Sequence, residues 1–332
     1  MVPFDYLRAG SIEEALAHMG RPGLCVLAGG TTLVDLMKLG VETPTTVLDI
    51  TALELDEVTV EDGRLRIGAL ANQTDVARHP LVRCHAMAVS EALLSGASGQ
   101  IRNVATIGGN LLQRTRCTYF RGADWRCNKR SPGAGCDAID GVNGAHAVLG
   151  VSRACNAVHA SDLAVALLAL DAHVHIRSLR GTRRLPFADF YQTPGETPQR
   201  EHVLAADELI THVDLPAGGT TSASGLPTSE RVSGYLKLRG RASYEFATAS
   251  VAASLSREGH RIGDVAIALG GVGTVPWRIP AAESILRGQV PTPALLERFC
   301  DALLASACPT SQNAHKLDMA RGAVRRLLEM LH

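Results

Sequence analysis

Short apolar runs separated by glycine pairs occupy the first half of the chain, and they predict brief strands and helices joined by tight turns. Ser11 and Glu14 have the spacing of a helix N-terminal capping box, so a helix should begin there. Pro80 interrupts a helical pattern that runs from residue 75 to residue 95. Apolar runs predict strands at residues 24–28, 47–50 and 65–70.

The second half of the chain carries longer patterns. Hydrophobic spacing predicts a helix at residues 161–170, a strand at 173–176, and amphipathic helices at 294–307 and 312–331. Strand and helix patterns are both present over residues 235–255 and 265–271. Residues 217–229 are rich in Gly, Ser and Thr, which is typical of a linker or mobile loop. We therefore predict a domain boundary near residues 220–230.

Composition and charge narrow the class of protein. At roughly 150 residues per domain, 332 residues allow about two domains, and 46% apolar residues supply a sizeable core. The 33 basic and 33 acidic residues cancel, which makes nucleic acid a poor candidate partner. The longest apolar run covers only residues 163–170, whereas a membrane span needs about 20 residues. The first residues lack a basic segment followed by an apolar one, so we expect no export signal in this chain.

Half of the eight cysteines lie close together in sequence. Residues 113–144 have little periodicity, and a loop of this length is usually functional or disordered. Four thiolates can bind a zinc ion or an iron–sulfur cluster, although structural zinc sites usually have closely paired cysteines that are missing here. The simpler alternative is four unrelated buried cysteines. The clustered residues are Cys117, Cys127, Cys136 and Cys155; we expect core thiols at Cys25, Cys84, Cys300 and Cys308.

Two glycine turns are candidates for binding an anion. Residues 28–32 read AGGTT between a predicted strand and a predicted helix, where consecutive backbone N–H groups can converge on a phosphate. Residues 105–110 read ATIGGN, in which Thr106 and Asn110 add side-chain hydrogen bonds. Each motif alone is more often a simple turn. Neither has the glycine spacing of a Rossmann or Walker A sequence.

The charged residues around the cysteines are less informative. His146 and His159 are interpreted as core or surface residues rather than ligands. The basic residues are interpreted as a solvated face, with thiolate neutralisation or partner docking as the alternative roles. This basic set consists of Arg114, Arg116, Arg121, Arg126, Lys129 and Arg130.

The two glycine turns together resemble those of the FAD-binding medium subunits of the xanthine dehydrogenase and aldehyde oxidase family, the molybdenum hydroxylases. Further segments resembling this family lie at residues 159–172, 235–252 and 277–289. The resemblance implies an α+β fold. An FAD-binding domain of the vanillyl-alcohol-oxidase (PCMH) type at residues 1–222 would precede a smaller α/β domain at 230–332, similar to the C-terminal domain of CO dehydrogenase flavoproteins.

The resemblance also implies roles for particular residues. The first turn would bind the FAD diphosphate and ribityl region, and the second turn would complete the clasp. Asp162 would hydrogen-bond adenosine or ribityl hydroxyls, Ile210 would pack on an aromatic ring of FAD, and Lys237 would lie near the isoalloxazine. From sequence alone, Lys237 would otherwise be taken for a surface lysine. The turn residues concerned are Ala28, Gly29, Gly30, Thr31, Thr32, Leu33, Thr106, Gly109 and Asn110.

The cysteine-rich segment, at about residues 113–156, resembles the insertion of bacterial periplasmic aldehyde oxidoreductases, whose flavin subunit also carries a [4Fe–4S] cluster. The resemblance implies that Cys117, Cys127, Cys136 and Cys155 ligate such a cluster. The flavin subunit of 4-hydroxybenzoyl-CoA reductase has a cluster too and remains an alternative, as does a xanthine dehydrogenase-like enzyme. Residues 315–328 depart from the family, whose members often have a Tyr-Arg pair near the start of this segment.

The implied function is electron transfer within a molybdenum-dependent aldehyde oxidoreductase that converts aldehydes to carboxylic acids. A large partner would hold the molybdenum cofactor, a small partner would hold two [2Fe–2S] clusters, and an external acceptor would receive the electrons. The complex would lie in the cytoplasm, or in the periplasm after export on a partner's signal. Two rivals are a self-contained FAD oxidase and a zinc-stapled scaffold without redox activity.

Overall fold

The computed structural model describes residues 1–217 and 231–332. The predicted linker and the predicted domain boundary therefore lie outside the described residues, apart from Ala217. The strands are β1 (Asp5–Arg8), β2 (Leu24–Leu27), β3 (Thr46–Asp49), β4 (Val58–Glu61), β5 (Arg64–Gly68), β6 (His173–Ser178), β7 (Gly181–Pro186), β8 (Leu209–Pro216), β9 (Val232–Leu238), β10 (Ala249–Glu258) and β11 (Arg261–Gly270). The helices are α1 (Ile12–His18), α2 (Leu33–Lys38), α3 (Gln73–Arg78), α4 (Pro80–His85), α5 (Met87–Ser95), α6 (Gly99–Arg102), α7 (Ile107–Leu111), α8 (Thr118–Arg121), α9 (Asp162–Ala169), α10 (Pro280–Glu283), α11 (Pro293–Leu304) and α12 (His315–Leu331).

A small parallel sheet places the first glycine turn. Its order is β1-β3-β2, so the turn leaves an edge strand. The predicted helix start is confirmed, since the Ser11 hydroxyl accepts the Glu14 N–H at 3.1 Å. The Glu14 carboxylate accepts the N–H of Gly10 at 2.8 Å, one residue before the position that a standard capping box uses.

A five-stranded antiparallel sheet forms the centre of the first domain, in the order β4-β5-β8-β6-β7. Side chains of alternate residues face the core, so Ile67, Val174 and Val213 are fully buried. Strands β1, β4, β7 and β8 have no counterpart among the predicted elements. Strands β1 and β4 are only four residues long, and neither contains a buried residue. Pro80 separates α3 from α4 as predicted and is the first residue of the new helix.

The C-terminal sheet has the order β9-β10-β11 and packs between helices from both parts of the chain. Helix α12 contacts β9 and β10, while α5 and α9 approach the sheet from the first domain. The approach is close at Gly270, where a Cβ atom would lie 2.5 Å from the Val165 side chain. Tyr235, Ala252 and Ala268 therefore belong to the same buried cluster as the core of the first domain.

The cysteine-rich segment is irregular, as predicted, but hydrogen bonds give it a defined path. Within residues 113–144, regular structure is limited to α8 and an isolated bridge between Cys127 and Cys136. The Arg130 guanidinium donates to the carbonyls of Tyr119 at 2.9 Å and Phe120 at 2.7 Å. Ionic and backbone partners of this kind order a chain that has little apolar core of its own.

The prediction of a solvated basic face is wrong for most of this set. Lys129 is 10% exposed at its side chain and pairs with Glu201 at 2.8 Å. Arg114 pairs with the same carboxylate and with Glu42. Among the members of the set that form ion pairs, only Arg126 is strongly exposed, and it too has a carboxylate partner. These side chains hold the loop rather than face water.

Among the described residues, no helix combines the length and apolarity that crossing a membrane requires.

A buried ion pair lies within residues 277–289. Glu283 is 0% exposed and accepts the Ile267 N–H at 2.9 Å. It also pairs with Arg278 at 2.7 Å, and Arg278 donates to the Leu168 carbonyl at 3.0 Å. This buried ion pair thus joins the C-terminal sheet to the end of α9.

Replacing Glu283 by Ala should strongly destabilise the chain, because the Arg278 charge would lose its buried partner. The expected loss is about 3–5 kcal/mol in the free energy of unfolding, measured by urea denaturation. Glu329→Ala is the control: this exposed carboxylate pairs with Arg326 on one helix face, and its loss should cost no more than about 1 kcal/mol. Equal effects of the two substitutions would contradict the structural role of the buried pair.

Candidate functional site

The first glycine turn presents unpaired backbone donors. Gly30 has a φ of +68°, which L side chains rarely adopt. Within residues 1–217 and 231–332, the N–H groups of Gly29, Gly30, Thr31 and Thr32 donate to no backbone or side-chain acceptor. Consecutive amides that lack protein partners are suited to bind an anion. The helix that follows, α2, has only six residues and no side-chain cap, so the turn itself supplies the donors.

The second turn differs, because its own amides are already paired. The Thr106 hydroxyl accepts the Gly109 N–H at 3.2 Å, and the Gly108 N–H donates to Ala69 at 2.7 Å. Asn110 accepts a hydrogen bond from the hydroxyl of Ser161, the residue that caps α9. The second turn therefore contributes side chains and close packing to the site rather than free amides.

The two turns are packed directly against each other. A Cβ atom at Gly29 would lie 2.2 Å from the Val104 carbonyl oxygen, so a side chain there would force the backbones apart. Within the second turn, a Cβ atom at Gly109 would lie only 2.9 Å from the Thr106 hydroxyl oxygen. The lack of a side chain at Gly29 thus permits the close approach of the two loops.

Two cavities flank the paired turns. A cavity of about 410 Å³ is mostly apolar and includes Ile210 on β8, which is 3% exposed. A second cavity of about 540 Å³ is lined by charged groups that include Asp162 and Lys237. Thr31, Thr32 and Gly109 line both cavities. An elongated dinucleotide, with a ring system at each end and a diphosphate between them, fits this arrangement of two cavities and a row of free amides.

Lys237 is a buried residue, and the interpretation as a surface lysine is wrong. Its side chain is 3% exposed on β9, and its ammonium group pairs with Asp162 at 2.8 Å and donates to the Ser95 carbonyl at 3.2 Å. Tyr235 donates its hydroxyl to the other oxygen of Asp162. Burial and the Asp162 charge raise the pKa of Tyr235 well above its usual value, so Tyr235 remains a donor at physiological pH.

The predicted site residues fall into two groups. Asp162, Lys237 and Asn110 line the charged cavity, whereas Ile210 and Thr106 line the apolar one. The first-turn residues that line the apolar cavity are Ala28, Gly29, Gly30, Thr31, Thr32 and Leu33.

Some residues of the charged cavity were missed from the sequence. Asp35 pairs with Arg116 at 3.0 Å and with Arg121 at 2.7 Å, which fixes the cysteine-rich segment to α2. Phe246 lies under the Arg116 guanidinium, 5.2 Å from it, and Tyr244 has a φ of +56° at the same cavity. Of these residues, Asp35 could have been singled out from the sequence, because it closely follows the first glycine turn.

The four clustered cysteines are brought near one another as free thiols. Cys127 and Cys155 are buried, and Cys117 and Cys136 are partly buried. Burial is the main reason that the pKa of Cys117 is raised to about 11; backbone hydrogen bonds oppose the shift, and the nearby Cys155 and Cys127 add to it. Burial likewise raises the pKa values of Cys136 and Cys155, with contributions from other members of the set. Among the described residues, no three His, Cys, Asp or Glu side chains are arranged to hold a metal ion.

The remaining cysteines correct one expectation. Cys300 is buried in α11, as predicted for a core thiol. Cys84 and Cys308 are exposed, and Cys25 is only partly buried. Cys308 follows the end of α11 instead of continuing its apolar face, and Cys84 lies on the outer side of the short helix α4. These exposed positions could not be separated from core ones by local hydrophobicity.

Comparison with known proteins identifies the family. Residues 2–218 match the FAD-binding domain of molybdopterin dehydrogenases, and residues 234–331 match the C-terminal domain of CO dehydrogenase flavoproteins. The chain therefore belongs to the FAD-binding subunits of the molybdenum hydroxylases and is a flavoprotein subunit of an oxidoreductase. The predicted family and the predicted α+β fold are both confirmed.

Individual relatives match over nearly the whole chain. The aldehyde oxidoreductase FAD-binding subunit PaoB of Escherichia coli (strain K12) is 46% identical, over 99% of this chain and 98% of its own length. The glyceraldehyde dehydrogenase medium chain of Sulfolobus acidocaldarius is 27% identical, over 93% and 90%. A solved structure of carbon monoxide dehydrogenase from Hydrogenophaga pseudoflava is similar, with a TM-score of 0.75 and 25% identity, covering 99% of this chain and 98% of that one.

The free amides of the first turn generate a prediction about charge. Gly30→Glu and Gly30→Gln should strain the backbone to a similar extent, since both place a side chain where φ is +68°. Glu adds a negative charge beside the expected diphosphate, so Gly30→Glu should retain several-fold less FAD per chain than Gly30→Gln. The FAD content of each folded variant, read from its absorbance after denaturation, gives the comparison. Equal FAD content would argue against a diphosphate at this turn.

Proposed function

We propose that this chain is the electron-transfer subunit of a molybdenum-dependent aldehyde oxidoreductase, and that it carries one [4Fe–4S] cluster in addition to FAD. The aldehyde assignment is supported by the 46% identity to an aldehyde oxidoreductase subunit over 99% of this chain. The observation that carries the flavin role is the row of free amides between an apolar and a charged cavity.

The residues of the chain would hold and tune the flavin. The amides of the first turn would bind the diphosphate, and Ile210 would contact an aromatic ring in the apolar cavity. Lys237 would lie near the isoalloxazine, its position fixed by Asp162 and the Ser95 carbonyl. A cation there would favour a negatively charged reduced flavin through Coulomb attraction. Bound FAD would supply the ability to receive electrons from one centre and release them to an external acceptor.

The cluster assignment depends on the donor set and its setting. The four cysteines of this irregular segment lie near enough that charge on one raises the pKa of others. The segment also lacks the closely spaced cysteine pairs of structural zinc sites. Burial keeps the Cys117 thiol protonated at neutral pH. Binding of a metal centre to the cysteines would therefore release protons and would require a strongly binding centre. Lys129 lies near Cys155 and favours its thiolate. These features suit an iron–sulfur cluster held by Cys117, Cys127, Cys136 and Cys155.

The remaining parts of the reaction would belong to other chains. A large partner with molybdenum cofactor would oxidise the aldehyde with water to a carboxylic acid, releasing two electrons and two protons. A small partner with two [2Fe–2S] clusters would pass the electrons to this chain. We assign no aldehyde-binding residue here. Location in the cytoplasm, or in the periplasm by co-export with a partner, stays a prediction.

The visible spectrum and metal analysis of the purified chain separate the competing functions. Flavin bands with a broad iron–sulfur shoulder support the proposal, and flavin alone would support a simpler family member without a cluster. Stoichiometric zinc in protein purified without air would overturn the cluster. Substrate tests on the full complex with aldehydes, xanthine and 4-hydroxybenzoyl-CoA distinguish the proposed enzyme from the two related alternatives.

The purified chain alone should not oxidise aldehydes, because the proposed oxidation occurs on a partner. It should still pass electrons from a chemical reductant to a dye if FAD is bound. Aldehyde-dependent dye reduction should appear when the large and small partners are added. Aldehyde turnover by the single chain would contradict this division of labour.

Replacing any of Cys117, Cys127, Cys136 and Cys155 by Ser should remove most of the iron per chain. The matched controls are Cys25→Ser, Cys84→Ser, Cys300→Ser and Cys308→Ser, which should keep full iron. Because Arg130 and its carbonyl partners already order the segment, the iron-free variants should keep a native circular dichroism spectrum. Full iron in any of the first four variants would refute the ligand set.

A further inference from the structure

A third cavity lies between the cysteine-rich segment and the charged flavin cavity. It has a volume of about 310 Å³ and includes Cys117, His146 and Lys316 in its lining. It also shares Arg116, Asp162 and other lining residues with the charged cavity. Of the four clustered cysteines, Cys117 is the one in this lining, and it has two buried basic side chains beside it on the side of the charged cavity.

His146 is in direct contact with a proposed ligand. It is 6% exposed, and its Nε2 atom lies 3.2 Å from Cys117 Sγ. Its Nδ1 atom is buried with no partner among the described residues. A metal-bound thiolate carries no proton and can only accept a hydrogen bond, so Nε2–H must then be the donor.

Lys316 is a buried cation that has no carboxylate partner among the described residues. It lies on α12, is 1% exposed, and donates to the carbonyls of Ala145 at 2.9 Å and Gly271 at 2.7 Å. It forms no ion pair with any carboxylate among the residues described. Burial lowers its pKa to about 8, so the ammonium form still predominates at neutral pH. A buried charge is costly unless an opposite charge lies near.

Lys316 and His146 both line the third cavity. A four-thiolate iron–sulfur cluster would be anionic and would provide the missing counter-charge. Both residues thus have a feature that the protein chain alone leaves unexplained: an imidazole in contact with a thiol and a lysine without a carboxylate.

We propose that His146 and Lys316 are positioning residues that raise the reduction potential of the cluster held by the four cysteines. The inference rests on the proposed function, since it requires that cluster. A hydrogen bond to a ligand sulfur and a nearby positive charge both stabilise the reduced form, which carries one more negative charge than the oxidised form. Their location on the flavin side places this effect where electrons would pass between the two centres.

The test uses the full chain purified without air, with a redox titration of the cluster followed by electron paramagnetic resonance. His146→Leu removes the donor, His146→Gln can retain one, and Lys316→Gln keeps hydrogen-bonding capacity while removing the charge. We expect a lower midpoint potential in His146→Leu and Lys316→Gln, at unchanged iron content, and partial recovery in His146→Gln. His260→Leu is the control, because this exposed histidine lies on the turn between β10 and β11.

The outcomes separate this inference from the function on which it rests. Wild-type midpoints in both His146→Leu and Lys316→Gln, with full iron, would overturn the inference and leave the cluster proposal intact. A wild-type chain without iron would overturn the cluster proposal and this inference with it. If His146→Leu loses its iron, Lys316→Gln decides the result, because that residue contacts no cysteine ligand in the described structure. A role of Lys316 in packing alone would lower stability without moving the potential.

Discussion

The buried contact between Asp162 and Lys237 is the constraint on which the geometry of the candidate flavin site depends. Asp162 begins α9 in the first domain, and Lys237 comes from β9 in the C-terminal domain. With Lys237 only 3% exposed at its side chain, each charge relies on the other to offset the cost of leaving water. The cavity between the domains is therefore defined by an ion pair that neither domain could satisfy alone.

This contact also links the glycine turns to the sheet. Ser161 caps α9 and at the same time donates to Asn110 in the second turn. The second turn also lies against the first turn at Gly29, where there is no room for a side chain. A continuous set of hydrogen bonds and close contacts thus fixes the free amides of the first turn relative to Lys237, even though residues from distant parts of the sequence form the site.

Local patterns predicted many of the helices and strands, but they did not reveal which distant residues pair. The capping residues at Ser11 and the helix break at Pro80 follow from short-range rules, and both are confirmed. The burial of Lys237 depends on Asp162, which lies 75 residues away, so no local signal reveals it. Likewise, the partner that takes Arg116 out of a solvated face is Asp35, 81 residues away. The family resemblance supplied the site residues because spacing alone could not choose between a turn and a phosphate site.

The cysteine-rich segment is ordered by contacts within the protein itself. The low periodicity of residues 113–144 indicated a functional or disordered loop. Instead, Arg130 binds successive carbonyls of the loop, and Asn128 and Asn143 bind others. The described hydrogen bonds therefore order the segment without a metal. The proposed cluster would bind a segment whose path the protein already fixes, and this is the condition under which nearby groups tune a potential rather than merely stabilise a fold.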